Sequence, residues 1–217
     1  MVPVNSVELV LKPVPPFRLD LTVWVLRRRP ENAMDRWDGR TYRRVLVIEG
    51  RPVELAVTQA GPADNALLKV VATGVQLPQV VESETEAVLE RLLGLRIDLR
   101  QFYEFATSDA TLRPVAQRFY GFKPTRYPTL FEALVNGITC QQISLNVGIR
   151  LLSRLAETCG AAVSGEVASG RLFPQPGEIA ALSPEVLRGL GYSRQKIQSL
   201  LELSAAAVRG RLDMAQV

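Results

Sequence analysis

The 217-residue chain contains no histidine. That absence removes every Ser-His and Cys-His nucleophilic scheme. With Cys140 and Cys159 as the only thiols, it also leaves no plausible set of zinc ligands, and two cysteines cannot build a disulfide framework. No apolar run approaches the roughly 18 residues of a membrane span. The N-terminus lacks the charged-then-apolar layout of a signal segment. These absences predict a cytoplasmic protein with no membrane partner, no metal and no cofactor. Any acid–base chemistry falls to Asp or Glu.

What is present is ordinary for a globular protein: 47% apolar and 22% charged residues, enough for one large domain or two small ones. The net charge of +4 is unevenly spread. Residues 1–110 carry 14 Lys+Arg against 15 Asp+Glu, and residues 111–217 carry 12 against 7. A basic C-terminal half suits a phosphate-rich partner, and it equally suits a merely solvated surface.

Patterning divides the chain near residue 80. Over residues 1–80, "VELVLKPV" alternates like a strand, and after Pro15-Pro16 the run "FRLDLTVWVLRRR" reads as a packed helix. "TYRRVLVIEG" and "RPVELAVTQ" read as a hairpin of β-branched runs flanking Glu49-Gly50-Arg51-Pro52, and "ALLKVVATG" supplies a further strand. Residues 81–217 read as helical. Ser83 with Glu86, and Thr129 with Glu132, have the spacing of capping boxes. Ser144, Ser183 before Pro184, and Ser193 are further N-caps. The expected class is therefore α+β: a small antiparallel sheet with a helix, followed by an all-helical domain.

Two stretches invite a functional reading. In "LVNGITCQQISLNVGIRLLSRL" two apolar helices meet at Cys140-Gln141-Gln142, where a plain connector would carry Gly, Asn, Asp or Pro. Gln offers both donor and acceptor, and the free N–H groups of a helix starting at Ser144 form an anion site. The turn therefore suits contact with DNA, or alternatively two polar residues capping nearby carbonyls. In "LSPEVLRGLGYSRQKIQSL" a helix, a Gly-Leu-Gly turn and a second helix either present backbone N–H groups to a phosphate or simply end a helix. Arg194 and Lys196 read as solvated.

The stretch "YPTLFEALVNGITCQQISLNVGIRLLSRLAETCG", with "LFPQPGEIAALSPEVLRGLGYSRQKIQSLLELSAAAVRGRLD" behind it, resembles the helix-hairpin-helix superfamily of DNA glycosylases, in particular the DNA-3-methyladenine glycosylase II branch. "PPF", the helix after it and the hairpin at 41–58 are similar to that branch's N-terminal α+β domain. The resemblance implies a base-excision repair enzyme, a hydrolase that flips an alkylated purine out of damaged duplex DNA and cleaves its N-glycosidic bond. It implies a bacterial, nucleoid-associated protein whose partner is double-stranded DNA. It assigns DNA contact to Gln141, Gln142 and Ser144, with Gln142 plugging the gap in the duplex. It also points to Trp24 as an aromatic of the base pocket, against the alternative of a core Trp between helix and sheet.

The same resemblance implies that the family's hairpin, of the pattern Leu-Pro-Gly-Ile-Gly-x-x-Thr-Ala, and the catalytic aspartate after it lie beyond "GRLDMAQV". Asp213 falls on the family's linker, and Ser193 stands where the comparable turn would carry a lysine nucleophile in other branches. No catalytic residue is assigned. The helical domain is expected to be incomplete at its C-terminus and this chain inactive, with self-association through an uncovered apolar face. The alternative is a non-catalytic DNA-binding or partner-binding module.

Overall fold

Alternating burial builds the sheet. The computed structural model describes residues 4–159 and 170–212, and within them β1 (Val4–Leu11), β2 (Arg36–Trp37), β3 (Thr41–Ile48), β4 (Arg51–Ala60) and β5 (Leu67–Val75) form one antiparallel sheet in the order β1-β5-β4-β3-β2. On β4 and β5, Val53, Leu55, Val57, Leu68, Val70 and Ala72 are buried on one face, the period of two that a half-covered strand requires. The β3–β4 hairpin closes through Glu49 and Gly50, with Ile48 opposite Arg51. Both turn residues have positive φ (47° and 73°), the geometry of a two-residue turn whose twist matches the strands.

Against the buried face lie α1 (Leu19–Arg27) and α2 (Val81–Leu93), whose Val23, Leu26, Leu89, Leu92 and Leu93 join the sheet in one core. Gly94 ends α2 with φ 63°, and a Cβ there would sit 2.5 Å from the Pro124 carbonyl oxygen, so only glycine fits. α3 (Arg100–Ser108) and α4 (Leu112–Arg118) follow. A second core gathers α5 (Leu130–Cys140), α6 (Leu145–Cys159), α7 (Pro176–Ala180), α8 (Pro184–Leu190) and α9 (Arg194–Val208) around Phe131, Val135, Leu152, Leu155, Ile179 and Leu200. The α+β expectation holds. Among the described residues, the two-residue β2 and the five-residue α7 are elements too short to give a periodic signal.

Several local expectations are corrected. Ser83 is not an N-cap: α2 starts at Val81, and the Ser83 hydroxyl donates to the Val80 carbonyl inside the first turn. Thr129 does cap α5, its Oγ1 accepting from the Glu132 N–H at 3.1 Å, but the Glu132 carboxylate does not return to close a box. It turns inward to a buried arginine instead. Ser183 and Ser193 cap α8 and α9 as expected.

That arginine joins the two cores. Arg44, on the covered face of β3 and 1% exposed, donates to Asp35 Oδ1 at 2.6 Å and to Glu132 Oε1 at 2.5 Å. The Tyr42 hydroxyl donates to the same Asp35 oxygen at 2.6 Å. Burial works against the guanidinium charge, but Asp35 and Glu132 outweigh it and hold Arg44 well above its ordinary range. Losing Arg44 leaves two carboxylates buried without a counter-charge. Arg44→Met is accordingly expected to destabilise the fold by about 3–5 kcal/mol, read from denaturant melts. A loss below about 1 kcal/mol, the scale of a surface pair, would show that the bridge carries no structural weight.

Candidate nucleic-acid interface

The α5–α6 joint is fixed by its own backbone. The Gln141 N–H donates to the Gly137 carbonyl at 3.2 Å, and Gln142 follows in the left-handed region with φ 55°. A non-glycine residue there carries strain of order 1 kcal/mol that the surroundings must sustain. Ser144 then starts α6, its Oγ accepting from the Val147 N–H at 3.4 Å. Gln141, Gln142 and Ser144 are all exposed on this one turn, so the structure brings three of the predicted residues together.

Three contacts brace the turn from behind. Lys196, in the first turn of α9, donates through Nζ to the Thr139 carbonyl at 2.7 Å and to the Gln141 carbonyl at 2.9 Å. These are end-of-helix carbonyls that α5 cannot satisfy itself. Lys196 is thus a clamp, and the expectation of a solvated side chain is corrected. The buried Tyr192 hydroxyl lies 3.3 Å from Thr139 Oγ1, and burial pushes that phenol above its ordinary range. The third brace answers why a small thiol stands at the joint. A Cβ on Gly148 of α6 would lie 2.7 Å from Cys140 Sγ, so the two helices touch through a glycine and a cysteine with no space between.

The Gly-Leu-Gly turn behaves differently. Gly191 has φ 109°, and its N–H donates to the Arg188 carbonyl at 3.0 Å, while the Tyr192 N–H donates to the Leu187 carbonyl at 3.2 Å. With both donors spent on ending α8, the turn is a helix stop and not a phosphate cradle. Exposed Arg150, Arg154, Arg188 and Arg194 nonetheless set positive charge on α6, α8 and α9.

Trp24 is not a core residue. It is 64% exposed on the outer side of α1, where it lines an apolar groove of about 460 Å³ with Phe102, Tyr103, Val115 and Phe119. Phe102 and Tyr103 on α3, with Phe119 and Phe122 just after α4, are the sequence signal for this groove. A separate cavity of about 190 Å³ opens between the end of α1 and α5, where Asn32, Asp35, Glu132, Asn136 and Arg28 share the lining with apolar side chains such as Ile149. Val25 borders both spaces, whereas Trp24 borders only the groove. The cavity is smaller than the roughly 300–1,000 Å³ of drug-sized sites and matches a single planar ring system. Its floor belongs to α5, the helix that ends in the Gln turn. Asn136 and Gln141 are five residues apart, about 7–8 Å along the axis. Among the described residues no cluster of acidic or thiol side chains could hold a metal ion, and no helix is long and apolar enough to cross a membrane. Asp213 lies outside the described residues.

Residues 135–217 match the HhH-GPD superfamily of base excision DNA repair proteins. Over those residues the chain is similar to that superfamily. It is 31% identical over 115 residues to the DNA-3-methyladenine glycosylase of Bacillus subtilis (strain 168), covering 53% of this chain and 38% of that protein. To DNA-3-methyladenine glycosylase 2 of Escherichia coli (strain K12) it is 31% identical over 84 residues, 39% of this chain and 29% of the relative. The chain thus spans about a third of the length of the curated relatives it matches. Among solved structures, the 3-methyladenine DNA-glycosylase from Archaeoglobus fulgidus superposes with a TM-score of 0.73 at 26% identity, covering 91% of this chain and 66% of that one. The Clostridium acetobutylicum 8-oxoguanine glycosylase/lyase, with a TM-score of 0.66 at 14% identity over 97% and 66% of the two chains, shares the fold.

The helix contact at the joint can be tested by a double-mutant cycle. Gly148→Ala is expected to cost about 1–3 kcal/mol by forcing α5 and α6 apart. Adding Cys140→Ala, which removes the clashing sulfur, should recover most of that loss. Additive losses in chemical denaturation would mean the two residues do not meet.

Proposed function

We propose that this protein acts in base-excision repair as a DNA glycosylase that recognises alkylated purines in duplex DNA. Gln142 enters the gap left by the extruded nucleotide, Gln141 lines the same turn, and the cavity between α1 and α5 receives the base. The observation that carries the reading is an exposed glutamine held in a strained backbone conformation by Lys196, Tyr192 and the Gly148–Cys140 contact, on the helix that floors a ring-sized cavity. A wedge that must press into a base stack needs that rigidity. Unstacking a nucleotide costs a few kcal/mol, least for a damaged base. The Ser144 turn opens α6 with unbonded N–H groups toward the phosphates, and the arginines of α6, α8 and α9 add attraction that weakens with salt. The lesion class follows the relatives named DNA-3-methyladenine glycosylase.

Excision itself asks for more. As the base leaves, a cationic sugar develops that a carboxylate must stabilise. At this cavity both carboxylates, Asp35 and Glu132, are tied to Arg44, which suits them to support and recognition. That observation favours a second reading, lesion binding without bond cleavage.

The experiment is to incubate the protein with duplex DNA containing an alkylated purine and to measure both free base released and binding by anisotropy across salt concentrations. Release of the free base is the expected result. Gln142→Ala should lower release and lesion binding on the order of tenfold, about 1.4 kcal/mol. Salt-dependent binding with no release establishes the second reading. Absence of DNA binding at low salt overturns both.

A further inference from the structure

The end of α1 sends neighbouring arginines into neighbouring spaces. Arg28 closes the helix with φ 57°, and its guanidinium lies 5.5 Å from the centre of the Tyr127 ring, on the lining of the cavity beside α5. Arg29 instead lines a separate notch of about 220 Å³ with Pro30, Glu31, Asn146, Ile149 and Arg150. Ile149 lines both spaces, so the notch adjoins the cavity at that side chain. Asn146 and Arg150 stand one turn apart on α6, starting two residues after Ser144 of the glutamine turn.

The loop that carries Arg29 is tied down at both ends. Asn32 Nδ2 donates to the Leu26 and Arg27 carbonyls at 3.3 and 3.1 Å, which holds the loop on the end of α1. Ser153 of α6 holds its other side: Oγ donates to the Glu31 carbonyl at 3.2 Å and accepts from the Ala33 N–H at 3.4 Å. Two exposed like charges, Arg29 and Arg150, are thereby set on the loop wall and the helix wall of one notch. Among the described residues neither guanidinium has an ion-pair partner, and Glu31, the one acid on the lining, engages neither. Such a pair repels itself until an anion joins it, and a phosphate has oxygens enough for two guanidinium forks at once.

We propose that Arg29 and Arg150 form a single clamp for one DNA backbone phosphate, on the strand that carries the extruded nucleotide. The inference rests on reading the α5–α6 turn as the DNA contact and the adjoining cavity as the base pocket. A base that enters the cavity stays bonded to its sugar and phosphates, which must then lie beside the cavity, where the notch opens. Asn146 adds a neutral amide on the same wall. The clamp brings the loop after α1 into the interface, so the N-terminal part of the chain also holds the strand.

The test follows binding of the full chain to a fluorescein-labelled duplex with an abasic analogue, by anisotropy between about 50 and 200 mM salt. That duplex has no base to release at the site, so excision does not disturb the titration. Each phosphate neutralised contributes about 0.9 to the slope of log K against log salt. Replacing both residues, Arg29→Gln with Arg150→Gln, is expected to lower the slope by about 0.9, because the two side chains share one phosphate. Arg29→Lys with Arg150→Lys keeps both charges; it should retain the slope and weaken binding several-fold, since an ammonium lacks the paired fork. Both side chains are exposed, and an unchanged thermal melt checks that the fold is intact. A slope that stays at the wild-type value in the glutamine pair overturns the clamp while the DNA reading stands. A fall of about 1.8 means two independent phosphate contacts and overturns the shared site. No binding by the wild-type chain at low salt overturns the clamp and the DNA reading together.

Discussion

A charged guanidinium at the bottom of a hydrophobic sheet face is the constraint on which the rest of this structure depends. Arg44 cannot be buried alone, and its two carboxylates come from different places: Asp35 from the loop before β2, and Glu132 from the first turn of a helix 88 residues away in sequence. A greasy contact between sheet and helix would tolerate sliding. Two charge-assisted hydrogen bonds of 2.5–2.6 Å with fixed directions do not. The bridge therefore specifies how α5 stands against the sheet more than it adds stability, since an apolar trio of similar shape is often as stable.

The orientation of α5 matters because of what lies at its other end. Eleven residues of helix span about 16 Å, so a small tilt at Glu132 becomes a displacement at Gln142. The far end is held by different chemistry: Lys196 on two carbonyls, a buried tyrosine hydroxyl, and a glycine pressed on a cysteine. One end is anchored to the sheet by charge and the other to α6 and α9 by packing and capping. The exposed turn between them is correspondingly stiff.

The local parts of this arrangement were legible in the sequence. Alternating β-branched runs indicated the strands and the hairpin, though Arg51 and Pro52 of the expected turn belong to β4, and Thr129, Ser183 and Ser193 marked helix starts, because those signals act within a few residues. What failed were inferences in which a residue had a distant competitor. Glu132 has capping-box spacing, yet a buried arginine offers it more than a solvent-facing amide does. Ser83 likewise has the spacing, but α2 begins two residues earlier at Val81, where an apolar side chain reaches the core. Lys196 looks solvated on a helical wheel until the end of α5 arrives beside it. Arg44 carries no local signal, and its role exists only once Asp35 and Glu132 have been folded next to it. The alternative of a core Trp24 fails for a related reason: an amphipathic helix shows which face is apolar, not whether a neighbour covers it.

The two spaces flanking α1 separate the work that burial and polarity can do. The groove beside Trp24 is walled almost wholly by aromatic and aliphatic side chains from α3, α4 and the turn after them, and such a surface selects by area and shape. The cavity beside Asn136 mixes polar side chains such as Arg28, Asn32 and Glu132 with apolar ones, so it can add hydrogen bonding to selection by shape. Recognition of one base among many chemically similar ones needs this second kind of surface, because apolar contact alone separates ring systems of equal size only weakly. The cavity at the start of α5 and the exposed glutamine turn at its end lie on one helix, so the base pocket and the wedge proposed above would share a single rigid support.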